Sequence, residues 1–187
     1  MSSPLTLEEK AELITRARSA ASVALGIPVP HNHSGQASST GRLAEPGASF
    51  VTWRREARLR GCIGSLEPHR PLAQDVELNS VAALTQDPRF PPSTSRDFPL
   101  LHVEVSVLSP REKITVPSEV ELGTHGLYVE KGKRRGLLLP QVAPEWDWTV
   151  EEFLEQVCLK AGLPGDAWRD PSVSLSRFAA DVFDESG

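Results

Sequence analysis

Residues 101–108, LHVEVSVL, alternate without a break: Val103, Val105 and Val107 fall on one side of an extended chain, His102, Glu104 and Ser106 on the other. A strict period of two is the signature of a half-buried strand, so the chain must build a sheet with one dry face and one wetter face. The segments around it follow the same logic. Residues 48–54 (ASFVTWR) and 58–65 read as two strands joined by the tight polar turn Arg55-Glu56-Ala57, a hairpin. Residues 126–130 and 136–139 flank KGKRR and read as a second hairpin with a basic, exposed tip. Residues 173–183 form a closing strand.

Helices are announced by their caps. Thr6-x-x-Glu9 is a capping box ahead of Leu7, Ala11, Ile14, Ala17, Ala21 and Leu25, and Gly26 with Pro28 ends the run. Thr149-x-x-Glu152 repeats the signal before Val150, Phe153, Leu154, Val157 and Ala161, with Gly162 and Pro164 as the stop. Between them, residues 71–86 carry Leu72, Val76, Asn79 and Ala83 on one stripe. Helices and strands mix without a βαβ rhythm, which predicts an α+β fold with a mainly antiparallel mixed sheet flanked by helices. The 187 residues suit a single domain. Residues 28–47, rich in turn formers and poor in large apolar side chains, read as a long loop or insertion within it.

A net charge of −5 argues against a nucleic-acid surface, whose affinity comes from neutralising phosphates. The N-terminal stretch lacks the basic flank and apolar run of a secretory signal, and no segment has the apolar length of a membrane span. Two cysteines far apart in sequence fit neither a disulfide framework nor a zinc spacing, so a reduced, cytoplasmic protein is expected. Neither GxxxxGK[ST] nor GxGxxG occurs.

Chemistry concentrates at LRGCIG. In an unbroken strand Leu59 and Ile63 point one way and Arg58, Arg60, Cys62 and Gly64 the other. Arginine charge beside Cys62 favours the thiolate, the reactive form of cysteine, and Gly61 and Gly64 leave room for a substrate backbone or partner segment. The same glycines equally suit a helix packed over a buried structural thiol. Cys158, inside an amphipathic helix, reads as a packing residue. Glu104 and Ser106 share a face; if their strand neighbours that of Cys62, Glu104 either pairs with Arg60 or carries a proton. His125, close to two glycines in GTHGL, is a candidate base for the thiol. Asp87, Arg89 and Phe90 lie in the proline-stiffened DPRFPP, suited to locking lobes together or to gripping a carboxylate, with locking preferred. Gln141 can present an amide to a peptide-like ligand. His31 and His33 lack the further ligands of a metal site and read as solvated loop residues. The basic tip of Lys131, Lys133, Arg134 and Arg135 reads first as a solvated turn and second as a dock for an acidic partner.

Taken in order, FVTW, LRGCIG, DPRFPP, EVSVLSP, HGLYVEKGKRRGLLLPQV and FLEQVCLKAGL make a series running from Phe50 to the C-terminal region. It resembles the AMMECR domain family, whose microbial members are named AmmeMemoRadiSam system protein A. The resemblance implies an α+β fold with a larger sheet-bearing part and a smaller subdomain. It also implies functional association with a Memo-like protein and a radical S-adenosylmethionine protein, and no cofactor is expected in this chain itself. Two departures, Trp53 in place of a smaller apolar residue and a longer loop at HNHSGQASSTG, are expected to reshape a cleft rim. The functional expectation is a thiol-centred component with Cys62, His125 and Glu104 as catalytic residues and Arg60, Gly61, Gly64, Ser106, Arg89 and Gln141 as binding residues. Its alternative is a non-catalytic peptide- or protein-binding module using the same groove.

Overall fold

The computed structural model describes residues 4–29 and 40–186, so His31, His33 and most of the anticipated loop lie outside the described residues. The chain divides into two compact units: one holds the described residues up to Val107 and from Asp181 onward, the other Leu108–Ala180.

The first unit begins with α1 (Leu7–Ala24). The Thr6 hydroxyl accepts the Glu9 N–H at 3.2 Å and the Glu9 carboxylate accepts the Thr6 N–H at 2.9 Å. Two donors with no partner inside the helix are thereby satisfied. There follow β1 (Pro46–Gly47), β2 (Ser49–Arg55), β3 (Arg58–Gly64), β4 (Arg70–Pro71), α2 (Leu72–Thr85) and β5 (His102–Leu108). β1 pairs with β4; the larger sheet runs β3-β2-β5, antiparallel throughout. The β2–β3 turn places Glu56 at φ 49° and Ala57 at φ 64°, the double left-handed geometry that matches strand twist in a two-residue hairpin.

One face of this sheet, with Val51, Trp53, Val103 and Val105, packs in a single core with Leu13 and Ala17 of α1 and Leu72, Val76 and Ala83 of α2. Trp53 is at the centre of it. Its side chain is fully buried, its indole N–H donates to the Ser80 carbonyl at 3.1 Å, and its ring lies 5.5 Å from that of Phe98. Trp53 therefore fills the core and does not shape a cleft rim. A second buried feature escaped the periodicity argument. Asp75, fully buried on α2, accepts from the Ser49 N–H (2.9 Å) and hydroxyl (2.7 Å), the Ser65 hydroxyl (2.6 Å) and the Asn79 amide (2.9 Å). A carboxylate removed from water needs such a full set of donors.

The second unit contains β6 (Glu112–Lys113), β7 (His125–Lys131), β8 (Arg134–Leu138), α3 (Val142–Glu145), α4 (Val150–Lys160) and β9 (Ser174–Asp184), whose last residues belong to the first unit. Its strands run β8-β7-β9, with β6 on β9, again antiparallel. Thr149 and Glu152 cap α4 reciprocally. Leu127 and Val129 of β7 pack with Phe153, Leu154, Val157 and Cys158 of α4 in a separate core. At the basic hairpin tip, Lys131 pairs with Asp170 at 2.7 Å, Arg135 with Glu130 at 3.2 Å, and Arg134 donates to the Gly162 carbonyl at 2.6 Å. Helices and antiparallel sheet together make an α+β fold. Among the described residues no helix is long and apolar enough to cross a membrane.

Candidate thiol site

Cys62 lies on β3, the outer strand of the first unit's larger sheet, and its position follows from an irregularity. Arg55 pairs with Arg58 and Arg54 with Leu59, but Trp53 pairs with Gly61 and Thr52 with Cys62, so Arg60 is the extra residue of a β-bulge. The bulge overturns the unbroken alternation expected for LRGCIG. Leu59, opposite Arg54, now shares the face of Cys62, opposite Thr52. Arg60 turns instead to the DPRFPP segment, donating to the Pro91 carbonyl at 2.9 Å.

The outward backbone groups of Cys62 are both taken. Its N–H donates to the Asp87 carboxylate at 2.9 Å and its carbonyl accepts from the Arg89 guanidinium at 3.3 Å. Because these groups point away from β2, Thr52 and Cys62 form a non-hydrogen-bonded pair, the type that brings opposite side chains closest. The Thr52 hydroxyl lies 3.2 Å from the Cys62 sulfur and donates to it. Thr52 is buried whereas Cys62 is only partly so. On the other side of Thr52, in register on β5, stands Glu104. Thiol, hydroxyl and carboxylate thus form one cross-strand row.

Asp87 and Arg89 clamp this strand. Two guanidinium nitrogens of Arg89 reach the two carboxylate oxygens at 3.0 and 2.8 Å. These bonds, aided by the Cys62 N–H and opposed by burial, hold the Asp87 carboxyl well below the usual carboxylate range. Arg89 is pushed up, first by the Asp87 bonds, and a Cys62 thiolate attracts it further. The Arg89 side chain stays 56% exposed while that of Asp87 is sealed off. These contacts lie within the first unit, where the DPRFPP segment holds the edge of β3; they are not the locking of two lobes expected from the sequence. The clamp also occupies an edge that would otherwise offer itself to a foreign strand.

The remaining anticipated residues separate. Glu104 lies 3.5 Å from Arg54, and β2 stands between it and β3, so the expected Glu104–Arg60 pair is not formed. The room at the glycines is filled by the protein itself. A Cβ on Gly61 would sit 1.9 Å from the Ala83 carbonyl oxygen of α2, and one on Gly64 would sit 2.3 Å from the Phe50 ring. Neither leaves the space for a substrate backbone that the sequence suggested. Ser106, 2% exposed, stands opposite Phe50. His125 and Gln141 belong to the second unit. His125 accepts the Glu121 N–H on Nδ1 at 3.0 Å, and the Gln141 carbonyl accepts the Glu145 N–H at 3.1 Å at the start of α3. Cys158 is fully buried, and burial pushes its thiol up. Thr52 is the site residue that sequence reasoning missed, since its place opposite the thiol depends on the bulge.

A protein of Methanothermobacter thermautotrophicus is 48% identical to this chain, the match covering 74% of this chain and 75% of that protein. Protein MK0488 of Methanopyrus kandleri is 42% identical, covering 99% and 92%. The crystal structure of the uncharacterised protein PH0010 from Pyrococcus horikoshii superposes with a TM-score of 0.82 at 39% identity, covering 92% of this chain and 89% of that one. The AMMECR1 family model matches residues 15–183, a span that includes β2, β3, the DPRFPP clamp, the second unit's core and most of the first unit's. The chain belongs to the AMMECR1 family.

Proposed function

We propose that Cys62 is the reacting group of a thiol-centred component serving redox, hydrogen-transfer or nucleophilic chemistry, acting with the Memo-like and radical S-adenosylmethionine partners that the resemblance implies. The observation that carries this reading is the treatment of the sulfur: partly exposed, and hydrogen-bonded by the buried Thr52 hydroxyl on a strand pinned by Asp87 and Arg89. A thiol that only fills space needs none of this. Thr52 orients the sulfur, and the clamp holds its backbone through the Asp87 carboxylate and the Arg89 guanidinium.

In the alternative, a docking surface without chemistry, the small size of Cys62 is all that matters. The two separate on substitution, measured in a reconstitution with both partner proteins or by complementation of a strain lacking this chain. Cys62→Ser and Cys62→Ala are both expected to keep the melting temperature and abolish activity. Retention of activity by Cys62→Ala, with loss on Arg60→Glu, would establish the docking reading instead.

A further inference from the structure

Residues 144–148 of the second unit read PEWDW. They form the end of α3 and its stop. The Trp148 N–H returns to the Ala143 carbonyl at 2.9 Å and the Asp147 N–H to the Pro144 carbonyl at 3.2 Å, with Asp147 at φ 54°. This is the left-handed helix stop in which glycine is the usual residue. The turn sets Trp146 parallel to Trp148, with ring centroids 6.1 Å apart and planes inclined by 18°. Trp148 packs against the second unit's core and gives the pair a fixed base. Trp146 is 68% exposed and is the only aromatic among the exposed large apolar side chains of the described residues.

Its neighbours are equally open. Glu145 and Asp147 are both exposed, and neither carboxylate has an ion-pair partner among the described residues. The helix stop therefore carries a carboxylate where glycine would relieve the backbone, beside an indole with an open face. An indole face attracts cations through its quadrupole, and flanking carboxylates reinforce the attraction while repelling anions. A guanidinium is the cation that stacks best, being planar and weakly hydrated.

We infer that Trp146, Glu145 and Asp147 form a docking platform for an arginine side chain in a basic segment of a partner protein. The net charge of −5 steers such a segment toward the chain. The platform is independent of the thiol chemistry, and its test does not involve Cys62.

The test titrates the intact protein with an arginine-rich amidated peptide, followed by calorimetry and tryptophan fluorescence, with lysine and glutamate peptides of the same length for comparison. The arginine peptide is expected to bind, the lysine peptide to bind more weakly and the glutamate peptide not at all. Trp146→Ala, at an exposed position that leaves the melting temperature unchanged, is expected to weaken binding about five- to thirtyfold. Asp147→Gly preserves the turn and is expected to weaken binding several-fold and flatten its salt dependence. Failure of the wild-type protein to bind the arginine peptide, equal binding by Trp146→Ala, or equal binding of the glutamate peptide would each overturn the proposal. So would self-association that depends on Trp146 in the absence of peptide binding, which would assign the platform to a second copy of the chain.

Discussion

Cys62 and Cys158 are the same side chain in opposite surroundings, one partly exposed beside a hydroxyl and a guanidinium, the other sealed in the second unit's core. Iodoacetamide should therefore label the native protein once, at Cys62, and reach Cys158 only in denaturant. Mass spectrometry of native and unfolded samples checks this, and two native adducts would refute it. At Asp87 the physical chemistry is that of a buried acceptor. Its folded-state pKa lies below the unfolded value of 3.8, so its stabilisation is fully present above that value and is lost as pH falls toward the folded one. Asp87→Ala leaves the Cys62 N–H without its acceptor and should cost about 1–3 kcal/mol at neutral pH. The gap between wild type and variant, read from urea midpoints across a pH series, should close in strong acid. A gap that does not narrow would show that the charge of Asp87 contributes little.

At the scale of elements, Gly61 couples β3 to α2. A methyl group there meets the Ala83 carbonyl, which is helix backbone and cannot swing aside. Gly61→Ala should destabilise by about 1–3 kcal/mol or more, by the usual cost of overpacking. Gly64→Ala meets the Phe50 ring, a side chain with rotamer freedom, and the Ser49 carbonyl at 2.6 Å, a backbone approach less severe than the 1.9 Å at Gly61, and should cost less; urea denaturation of the pair ranks them. Helix ends and hairpins were legible in the sequence because their causes are local: Thr6, Thr149 and their glutamates sit three residues apart, and the valines of β5 alternate within seven residues. Register was not. The turn at Glu56 and Ala57 alone would have set Trp53 opposite Arg60 and Thr52 opposite Gly61; one bulge moves Cys62 opposite Thr52. The bulge is paid for by contacts far along the chain, at Pro91 and Asp87, which no local pattern announces. Asp75 was illegible for the same reason, since its donors Ser49 and Ser65 come from segments distant from α2.

Across the whole molecule, each unit has a core of its own, yet the chain returns to the first unit through the end of β9. That return is anchored. Asp181 pairs with Lys10 of α1, Glu185 pairs with Arg18 and accepts the Val103 N–H at 2.7 Å, and the Lys10 ammonium lies 5.4 Å from the Phe183 ring centroid. Arg18 in turn lies 4.7 Å from the Phe98 ring and donates to the Leu101 carbonyl at 3.0 Å, so Glu185 steadies a cation set against the first unit's aromatic core. Ending the chain after Ala180 removes all of these contacts from one unit and none from the core of α4 and β7. The expected loss is about 3 kcal/mol, given that partly buried charge-assisted bonds contribute more than surface pairs. Its distribution is the sharper test: amide hydrogen exchange should accelerate in α1 and at Val103, while Phe153, Leu154 and Val157 of α4 keep their protection. Uniform loss of protection in both units would mean that they unfold as one, and that the returning strand stabilises the whole chain.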